Sequence, residues 1–443
     1  MEKCRLKKLY ALIAGLVLGI AAAVTWHVER VNATFGGLTI NTVNPDAGQP
    51  YSAAISPDGS AVAMMHREFS NGEMTDVVVV KNVQSNRELN RISLSWRPAE
   101  QRKNQYYLSR NLSYCDAGKY LLAFTDLDRI NVLDSRTFRL HTTIDLSDLH
   151  LKLRQDPAGR PFTDMHFLSN VRFDCSANNT SAVLAFSADL GVNSIKLFDL
   201  DKGTEIADLA ENHEGRYQGD GIAISPDGSK VALVTWKFRK GEGSGIELID
   251  TETGAILKSM FLGDRYGIEH QLGFAGENAL VIGEPESQSS NPGDSRSVPR
   301  GRMLRIWNFA KDGGMTILGW PGADVYRYSG ASAGGNSVFG YTGIESYCKS
   351  CNKGSGELKI EDARFMIWSL ASGQPVARSP KLRVIPHPCP LIQFMGSCTE
   401  FQQPPILSLS ANGKAVLAFW PEPTPSMAKD AKPAGEITVF HQP

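Results

Sequence analysis

The sequence predicts an all-β chain, a seven-bladed β-propeller over residues 37–443 whose last blade is closed by an N-terminal strand. Three observations predict it. A short apolar strand, a polar turn and a second apolar strand recur seven times. A third strand, typically ending in Asp or Asn, follows each hairpin. The copies start about 50–77 residues apart with no long helical period, which suits four-stranded blades.

Residues 1–33 form a signal peptide or signal anchor. Lys3, Arg5, Lys7 and Lys8 stand against Glu2, and an uncharged apolar run covers residues 9–26. A basic arm before such a run is held on the cytoplasmic side, so the remainder is exported. The run is longer than a usual signal core of about 7–15 residues and close to the roughly 20 of a span. Val31-Asn32-Ala33 offers a small-residue cleavage site, so cleavage and retention both remain open. The expected location is extracytoplasmic, in periplasm or cell envelope, either membrane-anchored through residues 9–26 or secreted.

The blades follow in order. Two hairpins carry Ser-Pro-Asp-Gly turns, at 53–66 and 221–236; the others are 112–125, 172–187, 272–284, 330–343 and 407–420. Pro presets φ and Gly supplies φ > 0, which gives these turns a mechanism. The third strands lie at 76–82, 129–135, 194–200, 245–251, 303–309, 364–370 and 436–442. The chain ends after the third strand of the seventh copy. Residues 37–44 have strand composition and supply the missing outer strand, closing the ring and removing an exposed edge.

These residues resemble WD-repeat and related bacterial β-propellers. The resemblance covers 37–443 and rests on Ser-Pro-Asp-Gly at 56–59 and 225–228 and on third-strand endings such as Leu-Phe-Asp and Ile-Trp-Asn. The Gly-His pair of strict WD repeats is missing, and only Trp307-Asn308 and Trp368-Ser369 approach a Trp-Asp dipeptide. The resemblance implies the fold. It leaves function open between a binding scaffold and a propeller enzyme of the lactonase or amine-dehydrogenase kind.

Second-to-third loops and blade connectors emerge on one face, here the loop face; the two hairpin turns of each blade emerge on the other. The long irregular stretches 284–302, 343–363, 421–435, 147–164 and 383–404 all fall on the loop face. Long loops on a rigid scaffold are where binding residues usually sit. Arg216-Tyr217, Arg265-Tyr266 and Arg327-Tyr328 enter blades four, five and six there. They either ring the mouth with guanidinium forks and flat rings for a carboxylate, peptide or sugar, or staple each blade to its neighbour.

Of seven cysteines, Cys4 lies in the basic arm and six in the exported domain. Cys115 and Cys175 sit near the first turns of blades two and three, as a disulfide or as small buried thiols; both align with Ser56, Ser225 and Ser410. Cys348 and Cys351, with Cys389 and Cys398, fall on the loop face. An oxidising compartment favours two disulfides among them, with tetrahedral zinc on the four thiols as the minority reading.

Catalytic signals are sparse. Gly330 to Gly334 spells G-x-S-x-G around Ser332, but inside a propeller hairpin rather than a strand-to-helix elbow. His166 and His270 begin inner strands. No metalloprotease, Walker or Rossmann motif is present, and no cofactor is expected. With 46 Lys+Arg against 47 Asp+Glu, no charge excess points to nucleic acid. The expectation is a non-enzymatic scaffold whose loop face binds another envelope protein or a peptide; the alternative is an enzyme with ionisable groups converging in the central channel.

Overall fold

A computed structural model describes residues 38–45, 50–70, 73–98, 112–126, 129–146, 171–187, 193–209, 216–236, 244–263, 271–285, 302–310, 314–318, 324–331, 335–347, 358–383, 385–387, 401–403, 406–420 and 436–442. Blade one comprises Ser52–Ile55, Ala61–Ser70, Glu73–Asn82 and Glu88–Pro98. Blade two comprises Leu112–Cys115, Tyr120–Asp126, Arg129–Asp134 and Arg139–Asp145, and blade three Val171–Cys175, Ser181–Ser187, Asn193–Asp199 and Thr204–Asp208. Blade four comprises Arg216–Ile224, Lys230–Trp236, Ser244–Asp250 and Ile256–Gly263, and blade five Gln271–Phe274, Ala279–Pro285, Arg302–Asn308 and Gly314–Leu318. Blade six runs through Asp324–Ala331, Ser337–Tyr347, Leu358–Ser369 and Pro375–Arg378. Blade seven comprises Ile406–Leu409, Ala415–Phe419 and Ile437–His441, with Thr39–Val43 paired antiparallel outside Ile437–His441. The ring closes as the sequence predicts.

Alternation along each strand builds the core between blades rather than within one. In blade two, Leu121 and Ala123 pack with blade one, while Tyr120, Leu122 and Phe124 pack with blade three. Among the described residues, an apolar cluster fills each of the seven blade-to-blade joints. The joint between blades seven and one contains Val43 of the closing strand, fully buried beside Ile55, Val62 and Ile437.

The Ser-Pro-Asp-Gly turns show why these residues are where they are. Ser56 Oγ donates to Asp58 Oδ1 (2.6 Å) and accepts from the Ala61 N–H (2.9 Å), while Asp58 accepts the Ser60 N–H (3.0 Å). Ser225, Asp227 and Lys230 repeat the pattern, as do Ser410, Asn412 and Ala415. The Gly at the close of each turn has φ near +75°, at 78°, 74° and 73° for Gly59, Gly228 and Gly413. The acid or amide ending a third strand caps the next turn. Asp134 accepts from the N–H groups of Arg136 and Thr137, and Asp250 from those of Glu252 and Thr253.

One alignment differs from the expectation. Cys115 and Cys175 do not fill the serine position; each is the last residue of its inner strand, equivalent to Ile55 and Ile224. In blade three the serine position belongs to Ser176, whose N–H bonds Ser181 O as the Ser56 N–H bonds Ala61 O. The blade-two turn is two residues shorter than that of blade one, so distance to Gly118 misplaces Cys115, which pairs directly with Tyr120 across Asp116–Lys119. The blade-three turn has full length, and counting from Asn178 rather than Asn179 misplaces Cys175.

The outer strands share an irregularity. In blades one, two, three, four and six the outer strand slips register by one residue shortly after the last turn. The residues left out of register are Leu89, His141, Ile206, Leu257 and Val376, and each is exposed.

Candidate partner-binding face

The turn face is tightly stitched. Backbone hydrogen bonds pass from turn to turn: Asp116 N to Ser176 O (2.9 Å), Asn178 N to Pro226 O (2.8 Å) and Asn412 N to Pro57 O (3.1 Å). A Cβ on Gly118 would lie 2.9 Å from Pro57 Cγ, so these turns already touch.

The central channel is lined by the inner strands and holds a cavity of about 200 Å³. Pro57, Ala177, Pro226 and Ala411 narrow it at the turn end. Ser113, Tyr114, Asp174 and Ser408 are its polar lining, and Asp174 Oδ2 accepts the Ile224 N–H at 3.1 Å across the joint to blade four. Enclosure in the channel, with the Asp58 charge second, pushes the Tyr114 phenol up, so it stays neutral. Among the described lining residues Asp174 is the one carboxylate, and no His joins it.

Beside the channel, Cys115 and Cys175 form a disulfide, Cα–Cα 5.7 Å, that joins the inner strands of blades two and three. Cys175 contributes to the cavity wall. The two candidate thiols are therefore a covalent joint between blades.

The loop face is built up unevenly. In blade six the second and third strands stay paired out to Tyr347 and Leu358, so much of 343–363, expected as an irregular insert, is an extended hairpin. Its strands slip register beside Thr342 and then continue. The connector 383–404 contributes Ile385–His387 and Phe401–Gln403, antiparallel to each other, and Phe401 pairs in parallel with Leu358. The blade becomes a ledge with two added strands. Blade one is also prolonged, its second and third strands paired as far as Ser70 and Glu73.

Arg216 and Tyr217 open the inner strand of blade four, opposite Trp236 and Thr235 and beyond a register break that ends at Ile222. Arg327 and Tyr328 lie in the inner strand of blade six, both inside the register break between Val325 and Ser329. Both pairs thus belong to inner-strand segments prolonged towards the loop face. Arg265 and Tyr266 lie outside the described residues, as do Cys348, Cys351, Cys389 and Cys398, His166, His270, Ser332 and the N-terminal run 9–26. The strand ends flanking the four cysteines are described, and they are neighbours: Tyr347 pairs with Leu358, Leu358 with Phe401 and Phe401 with His387. Among the described residues no group of three His, Cys, Asp or Glu is placed to hold a metal, and no helix is long and apolar enough to cross a membrane.

Two polar groupings escaped sequence reasoning. On blade one, His66 Nε2 lies 3.2 Å from Glu68 Oε1, which accepts from Arg91 Nη1 at 2.6 Å. Burial lowers the His66 pKa despite Glu68, so the ring is neutral near pH 7. The signal was present, since positions 66 and 68 share one face of a strand. Between blades two and three, Asp201 accepts from Lys119 Nζ (3.1 Å) and from the Tyr120 hydroxyl, while His141 lies against its backbone carbonyl (3.1 Å). Residues 82 apart carried no sequence signal of that meeting.

These features define a WD-repeat-like, seven-bladed β-propeller. A solved β-propeller shares this fold. The β-propeller domain of Cps50 (Swd1) from Myceliophteria thermophila matches at 13% identity and a TM-score of 0.50, covering 92% of this chain and 100% of that one. U3-55K and the RRP9 WD40 repeats match at 13% identity and TM-scores of 0.47, covering 91% of this chain and 98% and 97% of theirs. At this identity the likeness shows the fold alone. No family model matches the sequence, and no curated protein does.

Proposed function

We propose that this chain is an extracytoplasmic binding scaffold that holds a protein or peptide partner on its loop face. The carrying observation is the blade-six ledge, where an extended hairpin and two added strands stand on the face carrying the long connectors. Among the described residues the opposite face offers short turns, several of them bonded to one another. The Arg-Tyr segments of blades four and six border the same face and supply forked donors and flat rings for a carboxylate-bearing or peptide partner. Export is supported by the basic arm and apolar run of residues 1–26 and by the Cys115–Cys175 bond, since such bonds persist in oxidising compartments. Within this reading Cys348, Cys351, Cys389 and Cys398 form two disulfides that fasten the ledge.

The test is site-specific photo-crosslinking in the native envelope. A crosslinker at Glu345, in the ledge hairpin, should trap a discrete adduct; one at Arg136, in a blade-two turn, should not. Adducts confined to position 136, or none at either position, would refute loop-face binding.

A further inference from the structure

The outer strands of the blades are not alike. Those of blades one, two, three, four and six slip register, and each of them also carries charge, at Arg91, Arg139, Glu205, Lys258 and Arg378. The closing strand Thr39–Val43 of blade seven has neither feature. Its pairing with Ile437–His441 runs without a break, and it contains no charged residue, no proline and no glycine. It stands at the end of its sheet, with no strand outside it among the described residues. Ile40 is 49% exposed, and Thr39 and Thr42 are exposed beside it. Thr39, Ile40, Thr42 and Val43 are β-branched, which suits pairing with a further strand.

The strand is complementary to itself. About a two-fold axis at Asn41, an antiparallel pairing sets Asn41 opposite the second copy's Asn41, Ile40 opposite its Thr42 and Thr39 opposite its Val43. No like charges meet in that ladder, and the pairing uses up the edge of both copies, so it stops at two chains. Blade five also lacks a slip and a charge in its outer strand Gly314–Leu318, but that strand opens on a glycine, which weakens it. The closing strand is set apart by its position too. Residues 27–38 alone separate it from the apolar run 9–26, a stretch of at most roughly 40 Å. A ladder this short holds two free chains weakly, because association costs translational and rotational freedom. Chains anchored in one membrane through so short a stretch meet at a raised effective concentration, which removes much of that cost.

We propose that Thr39–Val43 is a self-association edge: in the membrane-anchored chain it pairs antiparallel with the same strand of a second copy, joining two blade-seven sheets into one continuous sheet. The pairing rests on the anchored form of the reading above. The edge lies on the perimeter of the ring, whereas the loop face lies at the strand ends, so both loop faces stay open. Two copies joined in this way present two loop faces side by side to one partner or to two, and a partner with a repeated motif gains from engaging both.

The experiment uses the full chain in phosphatidylcholine vesicles at low surface density. With Asn41→Cys, mild oxidation should give a dimer on a non-reducing gel that the parent chain lacks, since directly opposite residues stand about 4.5–5.5 Å apart, within disulfide reach. Ile40→Cys alone should give little, because its counterpart lies diagonally at about 7–8 Å, whereas Ile40→Cys mixed with Thr42→Cys should crosslink. The dimer fraction, read by energy transfer between donor- and acceptor-labelled chains, should fall about two- to fivefold in Asn41→Lys and in Asn41→Asp, which set like charges opposite each other. It should return when those two variants are mixed, and a misfolded variant would not be restored by mixing. No dimer from Asn41→Cys, equal crosslinking from Ile40→Cys alone, a dimer through Thr316→Cys of blade five in its place, or no restoration on mixing overturns the proposal. Loop-face adducts at Glu345 without a dimer remove the pairing and leave partner binding standing, so the two readings fail separately.

Discussion

Deleting residues 37–44 tests the closure of the ring most directly. The segment gives blade seven its outer strand through five register pairs, from Thr39↔His441 to Val43↔Ile437. Val43 is fully buried, and burying a valine is worth about 1.5–3 kcal/mol. The ladder adds hydrogen bonds worth about 1 kcal/mol each net. The fully buried Lys81 also loses an acceptor, Asn44 O at 2.5 Å from its Nζ. Together these give a loss of about 5–8 kcal/mol, comparable with the whole stability of an ordinary domain at about 5–15 kcal/mol. Chemical denaturation followed by tryptophan fluorescence and far-UV circular dichroism measures it. Val43→Ala, at about 2 kcal/mol, gives a graded control that should still fold. A deletion variant with an unchanged midpoint would refute the reasoning, because the joint between blades seven and one cannot lose a strand for free.

Other expectations can be checked by similar means. Gly340→Ala places a Cβ 2.6 Å from Leu304 Cδ1 and 3.2 Å from Trp368 Cζ3, both in buried side chains, and should cost about 1–3 kcal/mol in denaturation. Non-reduced intact mass should show the Cys115–Cys175 bond as a deficit of about two mass units. Replacing both cysteines by Ser should lower stability by about 2–4 kcal/mol, since the bond spans 60 residues of sequence. The same mass measurement tests the ledge: a metal-free chain about six units light supports three bonds, and retained zinc refutes the two proposed there. Asp134 and Asp250, held low by the N–H and hydroxyl groups of Thr137 and Thr253, contribute stability above the ordinary carboxylate pKa and lose it as pH falls further. Asn at both positions keeps the acceptor oxygen without titrating, so the acid limb of the melting profile should become shallower.

The architecture was legible because each blade repeats a local device. Asp58 and Asp227 need a serine two residues before them and a glycine after them, and that chemistry is written within four consecutive letters. The closing strand was legible by subtraction, since the seventh copy lacked an outer strand. Cys115 was misplaced because alignment by distance to glycine assumes equal turns, whereas blade two has the shorter one. The ledge was misread because the alternation of Leu358-Lys359-Ile360-Glu361 follows a run rich in Lys, Ser, Gly and Cys, which reads as loop; the pairing continues beyond the blade body, as the register from Tyr347↔Leu358 shows. Contacts such as that of Asp201 with Lys119 arise from the juxtaposition of different blades, which no local pattern encodes.

The outer-strand slips bear on how such a ring survives at high local concentration. Every blade ends in a strand whose outward N–H and C=O groups could template another chain, and seven such borders would invite stacking into fibrils or swapped sheets. An extra residue at Leu89, His141, Ile206, Leu257 and Val376 breaks the straight row of donors and acceptors and turns the border away from its plane. An incoming strand would match only a short length before losing step. The perimeter is thereby made a poor seed for lateral growth, although Leu89, Ile206, Leu257 and Val376 leave it apolar.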